Sequence, residues 1–396
     1  MSDKLQKKRG IVVTFLVSVA VVLLAVLYFM PIWWVSLTAP NYPPEAFPDG
    51  VRINFHMNGV FNGCRKVDKA EIDEDVALDC VHEMDTINHF VGMYPIASGG
   101  VVEKAFSPFL ISMLGVMMIG FMITHRGVRL TVMVIGFGGV AAWMYVTYYT
   151  PEGLRWQTPG YLSSMVISLD QTSEDTKTEE VNPIIAQLKE SLRQSGVRTE
   201  TSAPDVAVAT EPGSSEENYQ ILRSAFENDQ TRKPADEREE WTGSGEQVLF
   251  WHYHRALGRW FNNPQEINPM VANMHMAGTI LFWVVIAGMV AMLIAAWKTT
   301  WPLYWLLVII PILLPVFFIA EYSAWLWWYG HSLNEMGAFT LKPFMPTVFG
   351  QGKVAQFTTH SYPNIGFGLM VASSVLLILA ALIRRKSLRD AQGDAA

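Results

Sequence analysis

The amino-acid sequence predicts an all-α polytopic membrane protein, with six transmembrane helices and three long loops on one face, the middle loop an acidic insertion. Composition is the first sign: 51% of the 396 residues are hydrophobic and 16% are charged, against about a quarter charged in an ordinary soluble domain. Distribution is the second. The apolar residues gather into six runs that reach the roughly 20 residues needed to cross a hydrocarbon core. The third is the alternation of lysine and arginine between successive gaps, which sets the side each gap faces.

Residues 1–10 form a short N-terminus carrying Lys4, Lys7, Lys8 and Arg9. The first span, 11–35, is too long for the apolar core of a signal peptide and lacks a small-residue cleavage site. Trp33 and Trp34 therefore read as an interfacial belt closing an uncleaved anchor. Loop 36–105 follows, rich in His, Met and Cys. Residues 106–149 form a hairpin of two spans, 106–123 and 130–149, with His125, Arg126 and Arg129 in its link.

The loop 150–269 is polar and acid-rich between Asp170 and Glu240. Two short helices are expected inside it. One has Asn182 as cap, Pro183 at the first position, Ile184, Leu188 and Leu192 on a stripe, and Gly196 as stop. The other lies in "SSEENYQILRSAFEN", with a serine cap and Tyr219, Leu222 and Phe226 at helical spacing. No ligand-type residue occurs there, so the insertion reads as solvated rather than as an arm that docks a partner. A second hairpin, 270–328, holds spans 270–297 and 303–328 around Lys298. Loop 329–364, span 365–383 and a tail 384–396 with Arg384, Arg385, Lys386 and Arg389 complete the chain. The positive-inside rule then places both termini in the cytoplasm and the three long loops outside.

Those outward loops and their junctions carry eight of the nine histidines, all but His125. In "LDCVHEMDTINHFVGM" (78–93) five residues of metal-ligand types, Cys80, His82, Met84, His89 and Met93, crowd together. Read as one helix, the segment sets His82, His89 and Met93 on a single face and Met84 on the other. Imidazole with thioether favours copper over hard cations. The plainer reading is an amphipathic helix whose imidazoles form hydrogen bonds and whose Met side chains pack. His56, and the triplet Met274, His275 and Met276 at the mouth of the fourth span, supply a second set. Cys64 and Cys80 are the two cysteines, and a disulfide is expected in an oxidising compartment, with thiolate ligation by Cys80 as its competitor.

Glu321 is the acid within an otherwise apolar run, "PVFFIAEYSAWLWW". Such acids face a wet cavity or snorkel to the interface. Pro311 and Pro315 just before it predict a kink, while "WLWWYG" reads as an interfacial belt. Other classes lack their signatures. There is no basic stripe for nucleic acid, no phosphate-binding glycine loop, no CxxCH attachment site, and no pair of histidines deep in two spans for heme.

"MDTINHFVGMYPI" and "GKVAQFTTHSYPNIGFGL" resemble accessory membrane proteins associated with copper-dependent nitrous-oxide reductase systems. The likeness covers the first outer loop and the last third of the chain, and leaves the acidic insertion unmatched. It implies a bacterial inner-membrane protein of denitrification that gives copper or assembly support to a periplasmic copper enzyme, or delivers electrons to it. No catalytic residue carries over. The leading expectation is a non-enzymatic protein that binds copper through His82, His89 and Met93, with His56, Met274, His275 and Met276 contributing, beside the lipid bilayer and a periplasmic reductase. Its alternatives are a redox subunit holding heme or quinol at the outer face, with Glu321 accepting protons, and an assembly subunit with no cofactor.

Overall fold

The computed structural model describes residues 2–65, 79–180, 214–338, 341–354 and 356–393. Its helices are α1 (Ser2–Tyr28), α2 (Cys80–Val91), α3 (Val101–Met122), α4 (Arg126–Tyr149), α5 (Pro159–Glu180), α6 (Ser215–Thr231), α7 (Gly245–Gly258), α8 (Pro264–Ala295), α9 (Leu306–Ile312), α10 (Leu314–His331) and α11 (Ile365–Gly393). Five of these are long and apolar enough to cross a membrane, or six if the bent pair α9–α10 counts as one span. The protein is therefore built as a polytopic membrane protein.

It is not all-α. Five strands, β1 (Trp33–Thr38), β2 (Val51–His56), β3 (Gly59–Asn62), β4 (Gly350–Val354) and β5 (Phe357–Pro363), form one antiparallel sheet in the order β3-β2-β1-β5-β4. The first helix ends at Tyr28, and Trp33 and Trp34 open β1 rather than closing a span as a belt. Pro31 explains the early stop, since it has no amide hydrogen to continue a helix. Trp33 is 2% exposed and donates its indole N–H to Ser361 Oγ at 2.8 Å. Phe318, Tyr322 and Phe367 ring it, so this one side chain fastens the sheet to the end of the bundle.

Two prolines shape the bundle. Pro108 leaves the Lys104 carbonyl without its helical donor, and the Ser107 hydroxyl takes that carbonyl at 2.9 Å. Between α9 and α10 the axis turns by 59°. Pro311 and Pro315 flank Leu313 at the turn, and Ser374 Oγ donates to the Ile312 carbonyl at 2.9 Å. The kink expected from the prolines is thus a break, and 303–328 is two helices rather than one straight span.

The basic ends of the spans meet at the end of the bundle away from the sheet. Arg9 pairs with Asp390, Arg129 donates to the Ala296 carbonyl, Arg126 lies over Trp297, and Arg384 reaches Thr124.

Within the insertion, the helix expected from Asn182 to Gly196 lies outside the described residues. The second is α6, with the full Ser214–Glu217 capping box. Here the solvated reading is corrected: Tyr219, Leu222 and Phe226 are each 0% exposed. Trp241 and Trp251 pack edge-on against Phe226, and Trp251 donates to Asp229. The stripe that makes the helix amphipathic gives it a reason to dock.

Candidate functional site

A cleft of about 440 Å³ opens where α3 and α10 meet the sheet. Apolar side chains line its depth: Leu110, Ile111 and Leu114 from α3, then Ile310, Leu314, Phe317 and Phe318 from either side of the helix break. The 59° turn between α9 and α10 lies along its wall, between Ile310 and Leu314. At the sheet end the lining turns polar, with Glu103 and Lys104 from the first turn of α3, Glu321 and Trp325 from α10, and His56 from β2.

The polar end centres on Gly100, the N-cap of α3, whose φ of +58° suits glycine. From the point where a Cβ would stand there, Glu321 Oε1 lies 3.7 Å away, Trp325 Nε1 3.9 Å and Glu103 Oε2 4.0 Å. Two carboxyls thus converge beside one indole. Trp325 Nε1 donates to Glu103 Oε1 at 3.3 Å, while Glu103 Oε2 is enclosed and has no hydrogen-bond partner. Glu321 is exposed, and the surface it exposes belongs to the cleft.

Lys104 provides the nearest positive charge. Its ammonium donates to the Ala97 carbonyl at 2.5 Å and lies within Coulombic range of Glu103, Asp85 and Glu321. Asp85 is 2% exposed and accepts from the Ile96 amide at 3.0 Å. Burial pushes its carboxyl up to about 7, outweighing the Ile96 amide and the Arg259 charge. His56 lies edge-on to Phe61, and burial pushes its imidazole down to about 4, so it is a neutral donor or acceptor near pH 7.

Behind Lys104 is a second, much smaller chamber of about 20 Å³. Ser98, Ser164, Ser168, Tyr161, Tyr253 and His252 give it a hydroxyl-rich wall, and Lys104 lines both spaces. This volume suffices for about one water molecule.

The residues expected to hold metal are placed otherwise. Cys64 and Cys80 are joined in a disulfide, with Cα atoms 5.9 Å apart. Asp79 caps α2 by accepting the amides of Val81 and His82. Gly92 ends it in the left-handed region at φ +86°, so Met93 is not on the helix face with His82 and His89. It turns back, its amide donating to the Asn88 carbonyl, and is buried in the core. His82 and His89 both face the Trp260 ring, at 6.2 and 5.0 Å between centroids. Arg259 lies 3.3 Å from His82 Nδ1, and His89 Nδ1 is enclosed without a partner.

His275 is exposed and meets Glu246 Oε1 at 3.0 Å, with Met276 exposed and Met274 half-buried beside it. His56 lines the cleft. Among the described residues no group of three or more His, Cys, Asp or Glu side chains is arranged to hold a metal ion. The "WLWWYG" belt is likewise divided: Trp325 lines the cleft, Trp328 stacks on Tyr94, Tyr329 donates to the Pro95 carbonyl, and Trp327 is exposed.

Glu103, Lys104 and Asp85 are residues of this region that sequence reasoning misses. The signal for Glu103 and Lys104 is "VVEKAF", an acid and a base at the mouth of an apolar run, which on hydropathy alone counts as the end of a loop. Comparison of the chain with protein-family models, with curated proteins and with solved structures finds no match.

Proposed function

We propose that this membrane protein binds a membrane quinol, a dihydroxylated aromatic ring on a long apolar tail, with the ring at the Glu103–Glu321 end of the cleft and the tail along α3 and α10. One observation carries the reading. A deep apolar cleft ends in two convergent carboxyls, one of them with an enclosed oxygen that has no partner. Apolar walls with a few convergent polar groups are the usual form of a small-molecule site. An unpartnered buried acceptor is costly unless a ligand hydroxyl or water satisfies it.

On this reading Glu321 and Glu103 accept hydrogen bonds from the ring hydroxyls, and then their protons. The two electrons that leave an oxidised quinol pass to a partner redox protein. The resemblance to accessory proteins of nitrous-oxide respiration supports a periplasmic copper reductase system as that partner. The sheet-bearing end faces the periplasm of a bacterial inner membrane and both termini the cytoplasm, a placement supported by the basic residues gathered at the other end. Phosphatase fusions at Asp175 and at the C-terminus test the placement; activity at the C-terminus would overturn it.

Trp325 supplies the assay for the site. A short-tailed benzoquinone added to purified protein in lipid nanodiscs should quench tryptophan fluorescence saturably, and Leu114→Trp, which fills the cleft, should abolish the saturable part. Quenching that is linear in quinone and indifferent to Leu114→Trp refutes quinol binding.

Copper binding is the second reading. It is supported by His82 and His89 facing one indole, with His89 Nδ1 unpartnered. Against it stands the Arg259 guanidinium beside His82 Nδ1, since a fixed positive charge opposes a cation. Metal analysis of wild type and of the double variant His82→Ala, His89→Ala decides: equal copper in the two removes this reading.

A further inference from the structure

We propose that Lys104 is a proton relay, carrying protons from the carboxyl pair of the cleft into the hydroxyl-lined chamber behind α3. The inference deepens the quinol reading, on which it rests for the source of the protons. It is carried by the position of one side chain: Lys104 lines both spaces, and the structure puts carboxyls on one side of it and a histidine on the other.

The groups facing Lys104 come from every element around it. Its own helix gives Glu103, α10 gives Glu321, and α2 gives Asp85, all within Coulombic range. The chamber side adds Tyr161 from α5, and Tyr253 and His252 from α7. Three carboxyls thus lie around the Lys104 ammonium, with the Arg259 charge also in range of Asp85.

Asp85 and Lys104 are also tied to one short turn. Asp85 takes the Ile96 amide and Lys104 gives to the Ala97 carbonyl, so the two hold fixed positions on either side of it. At the far wall, His252 Nε2 meets the Met165 carbonyl at 3.0 Å. A carbonyl accepts only, so Nε2 carries the hydrogen and Nδ1 is the acceptor. Burial holds this imidazole near 4, well below the usual value, so it is neutral near pH 7.

The transfer balances without electrons. The Lys104 ammonium gives a proton to a water in the chamber, which gives one to His252 Nδ1, and the neutral amine takes a proton from Glu103 or Glu321. Net, one proton leaves a cleft carboxyl and one arrives on His252, which becomes the imidazolium. Lysine can do this because its amine is readily made neutral in a buried place; arginine cannot, because its guanidinium stays charged.

That difference is the test. Wild type, Lys104→Arg and His252→Phe are placed in lipid nanodiscs without any quinone, and the carboxyl infrared bands are followed after a pH jump. The Glu103 band, from the carboxyl with the enclosed oxygen, is assigned by its loss in Glu103→Gln. Lys104→Arg keeps the charge and the Ala97 contact, yet should slow equilibration of that band at least about tenfold, and His252→Phe should slow it as well. A wild-type rate in Lys104→Arg overturns the relay and leaves Lys104 a fixed counter-ion. A slow Lys104→Arg beside a wild-type His252→Phe overturns the route through the chamber. Thermal melting of the same samples confirms that the variants fold. Because the infrared measurement needs no ligand, failure of quinol binding and failure of the relay are separate results.

Discussion

Replacing Glu103 by glutamine changes one oxygen into an amide nitrogen and leaves the shape of the cleft alone. Its consequence follows from the two ends of the carboxylate. Oε1 is already engaged by the Trp325 indole at 3.3 Å, and that donor needs an acceptor, so the amide oxygen of the substituted side chain must stay there. The amide nitrogen then occupies the place of Oε2, the enclosed atom without a partner. An acceptor becomes a donor, and a ring hydroxyl that gave its hydrogen to Oε2 now meets an N–H. Hydrogen bonds to charged groups contribute roughly 1.5–3 kcal/mol, and about 1.4 kcal/mol is a factor of ten in affinity. Glu103→Gln should therefore weaken a dihydroxylated ring about 10- to 100-fold. The corresponding quinone has no hydroxyl to donate and should be weakened less, or even helped. Fluorescence titration with the reduced and oxidised forms of one short-tailed compound measures both. If the two forms lose affinity equally, or neither loses any, the ring does not lie against Glu103.

Further expectations concern other parts of the molecule. Converting both Cys64 and Cys80 to serine removes a clip across a sequence separation of 16 and should cost about 3 kcal/mol of stability through the unfolded state, seen as a lower melting temperature without reductant dependence. Phe226→Ala should cost about 3–5 kcal/mol of α6 docking, so limited proteolysis should cut near α6 far faster while the spans stay intact. Asp85 has a raised carboxyl in the folded state, near 7 against an ordinary 3.8, so the folded form holds its proton through that window and loses relative stability as pH rises across it. Asp85→Asn should flatten this part of the stability curve and gain most over wild type above pH 7; a wild-type slope in the variant would mean that Asp85 is not the group titrating.

The spans are legible because bilayer thickness imposes a length and the basic residues mark the ends, a signal that tertiary packing does not erase. The sheet is hidden for a related reason. "WWVSLT" follows the first apolar run almost directly, and a hydropathy count cannot separate a strand from the end of a helix; only Pro31 marks the boundary. "FTTHSYP" is half polar because its neighbours in the sheet, not lipid, cover it, and its partner is the β1 segment over 300 residues away in sequence. Periodicity carries no information about such a partner.

Glu321 stands out because an acid in an apolar run is conspicuous on its own. Its companion Glu103 does not, since an acid at the first turn of a helix is ordinary and is favoured there by the helix dipole. The copper face fails at Gly92: a periodic projection carries His89 on to Met93, but a left-handed glycine between them turns the chain back into the core.

The central pair of the sheet, β1 beside β5, joins the first segment made after the leading helix to one made just before the last. A ribosome delivers these in that order, with the whole bundle between them. Until β5 arrives, β1 has one side with open amides and carbonyls, and Trp33 lacks Ser361 and Phe367. A chain cut short anywhere before the final helix would therefore carry a raw strand edge and an unhoused indole on its water-facing end. The last strand to be made thus completes both the backbone pairing of β1 and the housing of its indole.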